Sequence, residues 1–214
     1  MDAAETPPKP RKVLVKRHGL VVRVTHWINA VSLALLLFSG LQIFNAHPHL
    51  YWGQQSHFGQ GWLSIGGYQA SDGRLRGVTL VGHSLIRTTG FLGASPEHGV
   101  WTVRAFPPWL TLPSEQFLAM GRRWHFFFAW VFAINGAIYL GTALLGGHLR
   151  RDLAPTADQL RPRHVLAEIW DHIRLRFPKG EEARRYNVLQ KGAYLGVVLV
   201  LLPLMVLTGM TMSP

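Results

Sequence analysis

Two histidines lie at the start of long apolar segments, each close to arginine. His26 follows Arg23 by three positions, and His125 follows Arg122 and Arg123 with Trp124 between them. An imidazole nitrogen is a good axial ligand for haem iron, and a nearby guanidinium can pair with a haem propionate. The two histidines are therefore candidate haem ligands, and the three arginines are candidate propionate partners. The alternative is that both histidines belong to the aromatic belts that mark a membrane surface.

The composition limits how a cofactor could be held. The chain of 214 residues contains no cysteine, which excludes disulfides, thiolate metal sites and a haem attached through cysteine. The formal net charge is +11, from 22 lysines and arginines against 11 acidic residues. A basic balance can indicate nucleic-acid binding. Here, however, the basic residues follow the boundaries of apolar segments, which is typical of a membrane protein and argues against a nucleic-acid partner.

Three apolar segments are long enough to cross a bilayer, which requires about 20 residues of helix. These predicted transmembrane helices are 27–46, 124–147 and 192–212. They contain no charged residue and predict an all-α integral membrane protein, a bundle with three transmembrane helices in this chain. Pro203 lies inside the third segment and predicts a kink there.

The positions of lysine and arginine give an orientation. The leader 1–20 and the connection 148–191 are rich in basic residues, whereas the long connection 47–116 contains only four arginines. Because basic loops stay on the cytoplasmic side, we expect a cytoplasmic N-terminus in the bacterial inner (plasma) membrane, with 47–116 on the other side. Within the cytoplasmic connection, 165–177 has apolar residues at helical spacing and predicts a basic amphipathic helix along the membrane surface.

Two glycines have a spacing that would suit a porphyrin. Gly136 lies eleven positions after His125, and Gly40 lies fourteen positions after His26. At about 100° per residue, each glycine is expected close to the face of the histidine in its own helix. A glycine there leaves room for a flat ring, although glycine is also common where two transmembrane helices pack together.

The long connection 47–116 carries two further features. Its four tryptophans make it a candidate docking surface for a soluble partner, and the alternative is a folded cap over the helix ends. These tryptophans are Trp52, Trp62, Trp101 and Trp109. His47 and His49 form an HxH pair, for which a solvated loop is a simpler interpretation than a surface metal site.

Three motifs in a fixed order carry a resemblance to a known family. RVTHWINA (23–30), RRWHFFFA (122–129) and RYNVLQK (185–191) each fall at the start of a span. Together they resemble the membrane cytochrome b subunits of formate dehydrogenase, nickel-iron hydrogenase and thiosulfate reductase. The resemblance is strongest to the group that pairs with a molybdopterin oxidoreductase of the sulfite-oxidase type. It covers nearly the whole chain from about Val13, and implies that 21–214 is a cytochrome b-type transmembrane domain.

The resemblance implies specific roles for the matching residues. In that family four helices hold two b haems, one near each membrane face, and each iron has two histidine ligands. His26 matches the ligand of the cytoplasmic-side haem, and His125 matches a ligand of the opposite one. Tyr186 and Asn187, with Gln190 completing the pattern, match a motif that lines a quinone pocket. From the residues alone, Asn187 is equally well placed to cap the N-terminus of a helix.

One part of the family pattern is missing from the sequence. The family's fourth helix carries both remaining histidine ligands, whereas this sequence ends at Pro214 after the third span. We expect the intact chain to continue into that helix, and the alternative is a three-helix form that takes its second haem ligands from elsewhere.

The sequence therefore predicts a di-haem membrane subunit that transfers electrons between a quinone and a redox partner on the non-cytoplasmic side. A haem-free membrane anchor that orients partner subunits is the second hypothesis. A transporter is the third, and it is disfavoured because the spans contain few polar residues.

Overall fold

A computed structural model describes residues 19–53, 61–147, 149–176 and 186–211. The helices in these ranges are α1 (Leu20–Phe44), α2 (Leu118–Leu145), α3 (Pro162–Ile173), α4 (Val188–Gly196) and α5 (Leu202–Thr211). The strands are β1 (His49–Leu50), β2 (Leu63–Gln69), β3 (Leu75–Val81), β4 (Ser84–Arg87), β5 (Gly93–Glu97) and β6 (Val100–Arg104). Residues 1–18 of the predicted leader lie outside the described ranges, as do Phe177 and Met212.

The three predicted transmembrane helices are confirmed by length and composition. They are α1, α2 and the continuous run Val188–Thr211, which we call the third span. This is a multi-pass membrane protein. Each helix begins four to seven residues before the predicted apolar segment. The reason is that the first helical turns carry charged residues, such as Arg23 and Arg122, which hydropathy assigns to the flanking loops.

The third span changes its hydrogen-bonding pattern near its middle. A π-helical stretch, Val197–Leu201, separates α4 from α5 and ends two residues before Pro203. Proline has no N–H to donate to the carbonyl four residues earlier, and a π-helical turn is a common way to absorb that loss. The kink predicted from Pro203 thus coincides with an irregular segment. Within the most apolar stretch of this span, 0% of the residues are buried by the rest of the protein.

The expectation of an all-α protein was wrong, because the connection between α1 and α2 contains β-structure. Strands β1–β4 form one antiparallel sheet in that order, and β5 and β6 form a second antiparallel pair. We call this unit, from β1 to β6, the β-subdomain. Its described residues include a small core of Ile65, Thr79, Ala94 and Ser95, each at most 6% exposed.

Glycine permits both the turns and the contact between the two sheets. The turn between β5 and β6 consists of His98 and Gly99, both with positive φ, as a tight two-residue hairpin requires. Where the sheets meet, a Cβ on Gly77 would collide with the carbonyl of Leu92, and a Cβ on Gly93 would collide with the carbonyl of Gly66. The sheets therefore approach more closely than any larger residue would allow.

The connection between α2 and the third span contains the helix predicted at 165–177, with different bounds. Helix α3 begins at Pro162, a favourable first helical residue, and ends at Ile173. The predicted apolar stripe included Val165, which is half-buried, whereas Leu166 and Trp170 are exposed. The apolar face is thus rotated from the predicted one.

Candidate functional site

Helices α1 and α2 pack against each other as an antiparallel pair. Thr25, Ser32 and Ser39, spaced seven residues apart, are the small buried residues of α1 at this contact. Small residues let two transmembrane helices approach closely. From α2, the buried amide of Asn135 donates to the Thr25 carbonyl at 2.8 Å and to Asn29 Oδ1 at 2.7 Å. These bonds fix the register of the pair.

A cavity of about 960 Å³ opens beside this pair at the end where α1 begins. His26 and Arg23 of α1, Gly136 of α2, Tyr186 and residues along the third span line it. Pockets for drug-sized ligands and cofactors usually have volumes of about 300–1,000 Å³. The cavity therefore has the size of a cofactor site, with polar groups near one end and apolar walls elsewhere.

His26 is exposed and faces this cavity. Within the described part of the chain, its imidazole has no hydrogen-bond partner, and its printed neighbour is the edge of the Trp27 ring, 5.8 Å between centroids. Both nitrogens are thus accessible to a ligand. Among the described residues, His26 is the one histidine that lines the cavity.

His125 has the opposite kind of environment. It is half-buried against α1, and its Nδ1 lies 3.1 Å from Ser39 Oγ. The Ser39 hydroxyl donates to the Leu35 carbonyl at 2.6 Å, so its oxygen is left to accept a hydrogen bond from Nδ1–H of His125. This assigns the proton to Nδ1 and leaves the lone pair on Nε2, the arrangement that a metal-binding histidine usually has.

Each of the two glycines also lies near the histidine of the neighbouring helix, a relation that the sequence did not predict. A Cβ on Gly40 would lie 3.4 Å from Cε1 of His125, whereas Gly136 lines the cavity of His26, with open space where its Cβ would be. The expectation considered each helix alone. Because α1 and α2 are antiparallel, each glycine faces the histidine on the neighbouring helix.

The candidate propionate partners are also divided between the two ends. Arg23 lines the cavity beside His26. Arg122 is exposed, with its guanidinium 5.9 Å from the centre of the Phe126 ring, and Arg123 is exposed as well. The structure brings His26 and Arg23 together at one site. His125, Arg122 and Arg123 are at the far end of the helix pair.

Of the three candidate quinone residues, only Tyr186 is among those that line the cavity. Its ring lies edge-on to Tyr194, 5.6 Å between centroids. Asn187 is the N-cap of α4, as the alternative interpretation had it. Its Oδ1 accepts from Gln190 N at 2.8 Å, and Gln190 Oε1 accepts from Asn187 N at 3.3 Å. The cap uses the amide oxygens and leaves both side-chain NH₂ groups as donors.

Lys191 has a role that the motif alone does not reveal. Its ammonium donates to the Ala154 carbonyl at 3.1 Å and to Gln159 Oε1 at 3.2 Å. Gln159 in turn donates from Nε2 to the Tyr186 carbonyl at 3.4 Å. These bonds tie the segment that precedes α3 to the start of the third span, and so hold the backbone that carries Tyr186.

A second set of polar contacts, also absent from the sequence interpretation, anchors the segment between β6 and α2 to the end of α1. Gln42, 1% exposed, donates to the Glu115 carbonyl at 2.8 Å and accepts from Asn45 Nδ2 at 3.3 Å. Asn45 Oδ1 accepts from Phe106 N at 2.8 Å. A transporter would need polar residues along its spans, whereas the polar side chains of Gln42 and Asn45 form hydrogen bonds within the protein.

Arg104, one of the four arginines of the long connection, is buried and holds the segment that leads into α2. It donates from Nε to the Phe106 carbonyl at 2.7 Å, and from Nη2 to Thr111 Oγ1 and the Ser114 carbonyl, each at 3.0 Å. Its Nη1 lies 2.9 Å from Glu97 Oε1, an ion-pair distance without hydrogen-bond alignment.

The predicted docking residues are on the surface of the long connection. All four tryptophans there are exposed, from 43% for Trp62 to 88% for Trp52. The HxH residues contact each other and their neighbours. Ser64 Oγ lies 2.7 Å from His49 Nδ1, and the Tyr51 hydroxyl contacts His47 Nε2. In the described ranges, no cluster of three or more histidine, cysteine or acidic residues could hold a metal ion.

The residues of the cavity fit a haem, as judged by their chemistry. They supply an accessible imidazole, a guanidinium for an anionic substituent, apolar walls and a glycine where a flat ring can pass. The described residues supply one imidazole to this cavity. A second axial ligand is what the fourth helix of the resembled family would contribute.

Comparison with known proteins gives one similarity. The chain is 23% identical over 195 residues to a protein of Azospira oryzae named as a protein-methionine-sulfoxide reductase subunit, YedZ1. The match covers 91% of this chain and 68% of that protein. No family model matches the chain, and neither does any solved structure. The membrane-crossing helices and this match together support a membrane subunit similar to one from a reductase.

Proposed function

We propose that this protein is a haem b-carrying membrane subunit that transfers electrons between quinone and a partner oxidoreductase. The observation that carries the proposal is the cavity at the start of α1, where an accessible His26 lies beside Arg23 and opposite Gly136. Among the described residues no side chain or carbonyl bonds to this imidazole, so it is able to bind a ligand in the cavity.

Within this proposal, His26 provides an axial nitrogen to a haem in the cavity, and Arg23 pairs with a propionate. His125, with its Nδ1 proton held by Ser39, provides Nε2 to a second haem near the other membrane face. A bound b haem would supply a one-electron carrier, and two of them would form a path along the helix pair. The resemblance to formate dehydrogenase-type cytochromes supports a content of two haems.

Quinone would bind beside the haem at the cytoplasmic end. Tyr186 lines the cavity, and Asn187 and Gln190, which follow it in the chain, have side-chain NH₂ groups that the cap does not use as donors. Proton exchange with the cytoplasm would accompany electron transfer at this end. The cytoplasmic assignment follows the distribution of basic residues and belongs to the proposal.

The partner would dock on the β-subdomain. The segment that leads from this unit into α2 bonds to Gln42 and Asn45 on one side and to Arg104 of β6 on the other, so a protein bound to the unit would be linked to the helix pair through that segment. The similarity to a subunit of a protein-methionine-sulfoxide reductase supports an oxidoreductase as partner. The sequence motifs favour a molybdopterin enzyme on the non-cytoplasmic side of a bacterial inner membrane.

The test is a haem titre of the detergent-purified protein, by reduced-minus-oxidised and pyridine haemochrome spectra. His26→Ala and His125→Ala are each expected to remove about one haem. The matched control is His83→Ala, because His83 is exposed in the turn between β3 and β4. Unchanged spectra in both histidine variants would overturn the ligand assignment. A protein without b-type bands would overturn the electron-transfer function.

A second function, a haem-free anchor for a redox partner, is favoured by one observation. The segment between the β-subdomain and α2 is bonded to the helix pair by side chains other than the two histidines. The anchor hypothesis predicts that the unsubstituted protein already lacks b-type bands and that His26→Ala leaves partner capture intact. The cytochrome hypothesis predicts that capture survives while electron transfer is lost.

A further inference from the structure

Helix α3 has an apolar stripe that is not covered by the described part of the chain. Leu166, Ile169, Trp170 and Ile173 recur at the i, i+3, i+4 and i+7 spacing of one helix face. Their exposed fractions run from 38% for Ile169 to 67% for Ile173. At about 100° per residue, the four side chains occupy an arc of about 100°.

Charged residues are segregated around this stripe. By the same helical geometry, Arg163 and Arg174 lie along one border, within about 40° of Trp170. The guanidinium of Arg174 lies over the Trp170 ring, 4.4 Å from its centre. The acidic residues of the helix, Glu168 and Asp171, lie about 100° or more from any residue of the stripe. Glu168 pairs there with His164, at 3.1 Å.

The position of α3 in the chain places the stripe near a bilayer. The helix lies in the connection between two membrane-crossing helices and packs against the first turns of α4. Lys191, at the start of the third span, donates to the Ala154 carbonyl and so holds the preceding segment at the membrane boundary. A helix with an apolar face and basic borders at that level has the pattern of an interfacial helix.

We propose that α3 lies in the lipid headgroup layer with its stripe inserted, and that Arg163 and Arg174 bind the phosphates of anionic phospholipids. The bidentate guanidinium suits a phosphate, and the Trp170 ring is a side chain that favours the membrane interface. Lipid, and not protein, covers the stripe, because the apolar side chains match the acyl layer of a bilayer and the bordering arginines match its phosphate layer. This surface is separate from the haem cavity and does not depend on the proposed redox function.

The absence of cysteine makes a direct test straightforward. Single cysteines are introduced as Ile169→Cys in the stripe and Asp171→Cys on the opposite face, and each is labelled with bimane in the full-length protein in liposomes. Aqueous iodide is expected to quench the label at position 171 and not the label at 169. Brominated phosphatidylglycerol is expected to quench the label at 169 more strongly than brominated phosphatidylcholine at the same mole fraction.

The arginine border is tested in the Ile169→Cys background. Arg163→Gln and Arg174→Gln are each expected to lower the preference for phosphatidylglycerol about fivefold, and the double variant should not distinguish the two lipids. The matched control is Arg161→Gln, which removes a charge of the same segment that pairs with Asp158 away from the stripe. Iodide quenching of the label at 169 would overturn the proposal, and so would equal quenching of that label by both lipids. Protection from iodide that increases with the protein-to-lipid ratio would also overturn it, because a second copy of the protein would then cover the stripe.

Discussion

The two ends of the α1–α2 pair present similar motifs in very different surroundings. At one end, His26 is exposed to a cavity of about 960 Å³, and its imidazole has no hydrogen-bond partner among the described residues. At the other end, His125 is packed against Gly40 and bonded to Ser39. Both histidines follow arginine and adjoin aromatic residues in the sequence, yet one end of the pair is open and the other is closed.

The difference shows that the neighbouring helix, and not the local motif, determines what each histidine can do. At the closed end, Gln42 bonds to Asn45 and to the segment that leads into α2, and a Cβ on Gly121 would lie only 2.9 Å from Gln42 Cγ. At the open end, the third span stands away from the pair, and the space between them is the cavity. An open end suits ligand entry, and a closed end suits a fixed ligand geometry.

The largest expected effect comes from closing the open end. Gly136→Trp places an indole in the cavity, where a Cβ has no neighbour within 4 Å, so the helix itself should accept it. We expect haem bound at the His26 end to fall at least about tenfold, because a haem and an indole cannot share the space. Stability should not fall, since glycine is a poor helix former. The measurement is the haem titre together with the thermal unfolding midpoint.

Gly141→Trp is the matched control for this variant. Gly141 lies five positions further along α2, also has open space at its Cβ position, and is not among the residues that line the cavity. It should keep full haem content. Equal haem loss in the two variants would mean that the cavity is not the binding site.

The sequence predicted the elements whose signals are local and strong. Three long apolar runs gave the transmembrane helices, and the Asn187 cap is visible in the Asn-x-x-Gln spacing. The β-subdomain was missed because its strands are short and glycine-rich. The usable signals were the two-residue turns Gly82-His83 and His98-Gly99, each flanked by short runs that contain β-branched residues.

The surroundings of the candidate ligands could not be predicted from one sequence. Helical periodicity gives the faces of a single helix, so it could place Gly136 on the face of His125 but could not show that Gly136 also lines the cavity of His26. Which residue lies opposite depends on the register of two helices. That register is set by contacts such as the bonds from Asn135 to Thr25 and Asn29, over a separation of more than 100 residues.

The next effect concerns the closed end, where Ser39→Ala removes the oxygen that accepts from Nδ1–H of His125. Loss of such a hydrogen bond to a metal ligand typically weakens binding about 10- to 100-fold, and we expect the lower part of that range. The potential of the haem on His125 should also shift, because the hydrogen bond raises the basicity of Nε2. A redox titration followed in the visible spectrum measures both effects.

Ser32→Ala controls for the loss of a buried hydroxyl in the same interface. Ser32 is 1% exposed and lies seven residues before Ser39 on the same face of α1. If both variants shift the potential equally, Ser39 acts only through helix packing, and the distinction between a fixed and an accessible histidine is weakened.

A smaller effect is expected from Asn135→Ala, which removes the interhelical bonds between the two ends. Hydrogen bonds between transmembrane helices contribute about 0.6 kcal/mol on average and up to about 1.7 kcal/mol, so we expect a loss of about 1 kcal/mol. Thr142→Ala is the control, because Thr142 is exposed and its hydroxyl bonds within its own helix, to Ile138. Unfolding in mixed detergent micelles measures both variants, and a loss of stability confined to Thr142→Ala would contradict the assigned register.

The smallest expected effect concerns the titration of His49, in strand β1 of the β-subdomain. Burial, and next the nearby charge of His47, lower the pKa of His49 below 6.5. The unfolded chain then binds more protons than the folded one below that pH, so the free energy of unfolding should fall as pH decreases through the window from 6.5 to the lower folded pKa. His49→Gln should make the free energy of unfolding less dependent on pH. The difference between the values measured by urea unfolding at pH 7.5 and at pH 5.5 should decrease by an amount that corresponds to less than one bound proton. An unchanged pH dependence in His49→Gln would contradict the lowered pKa of His49.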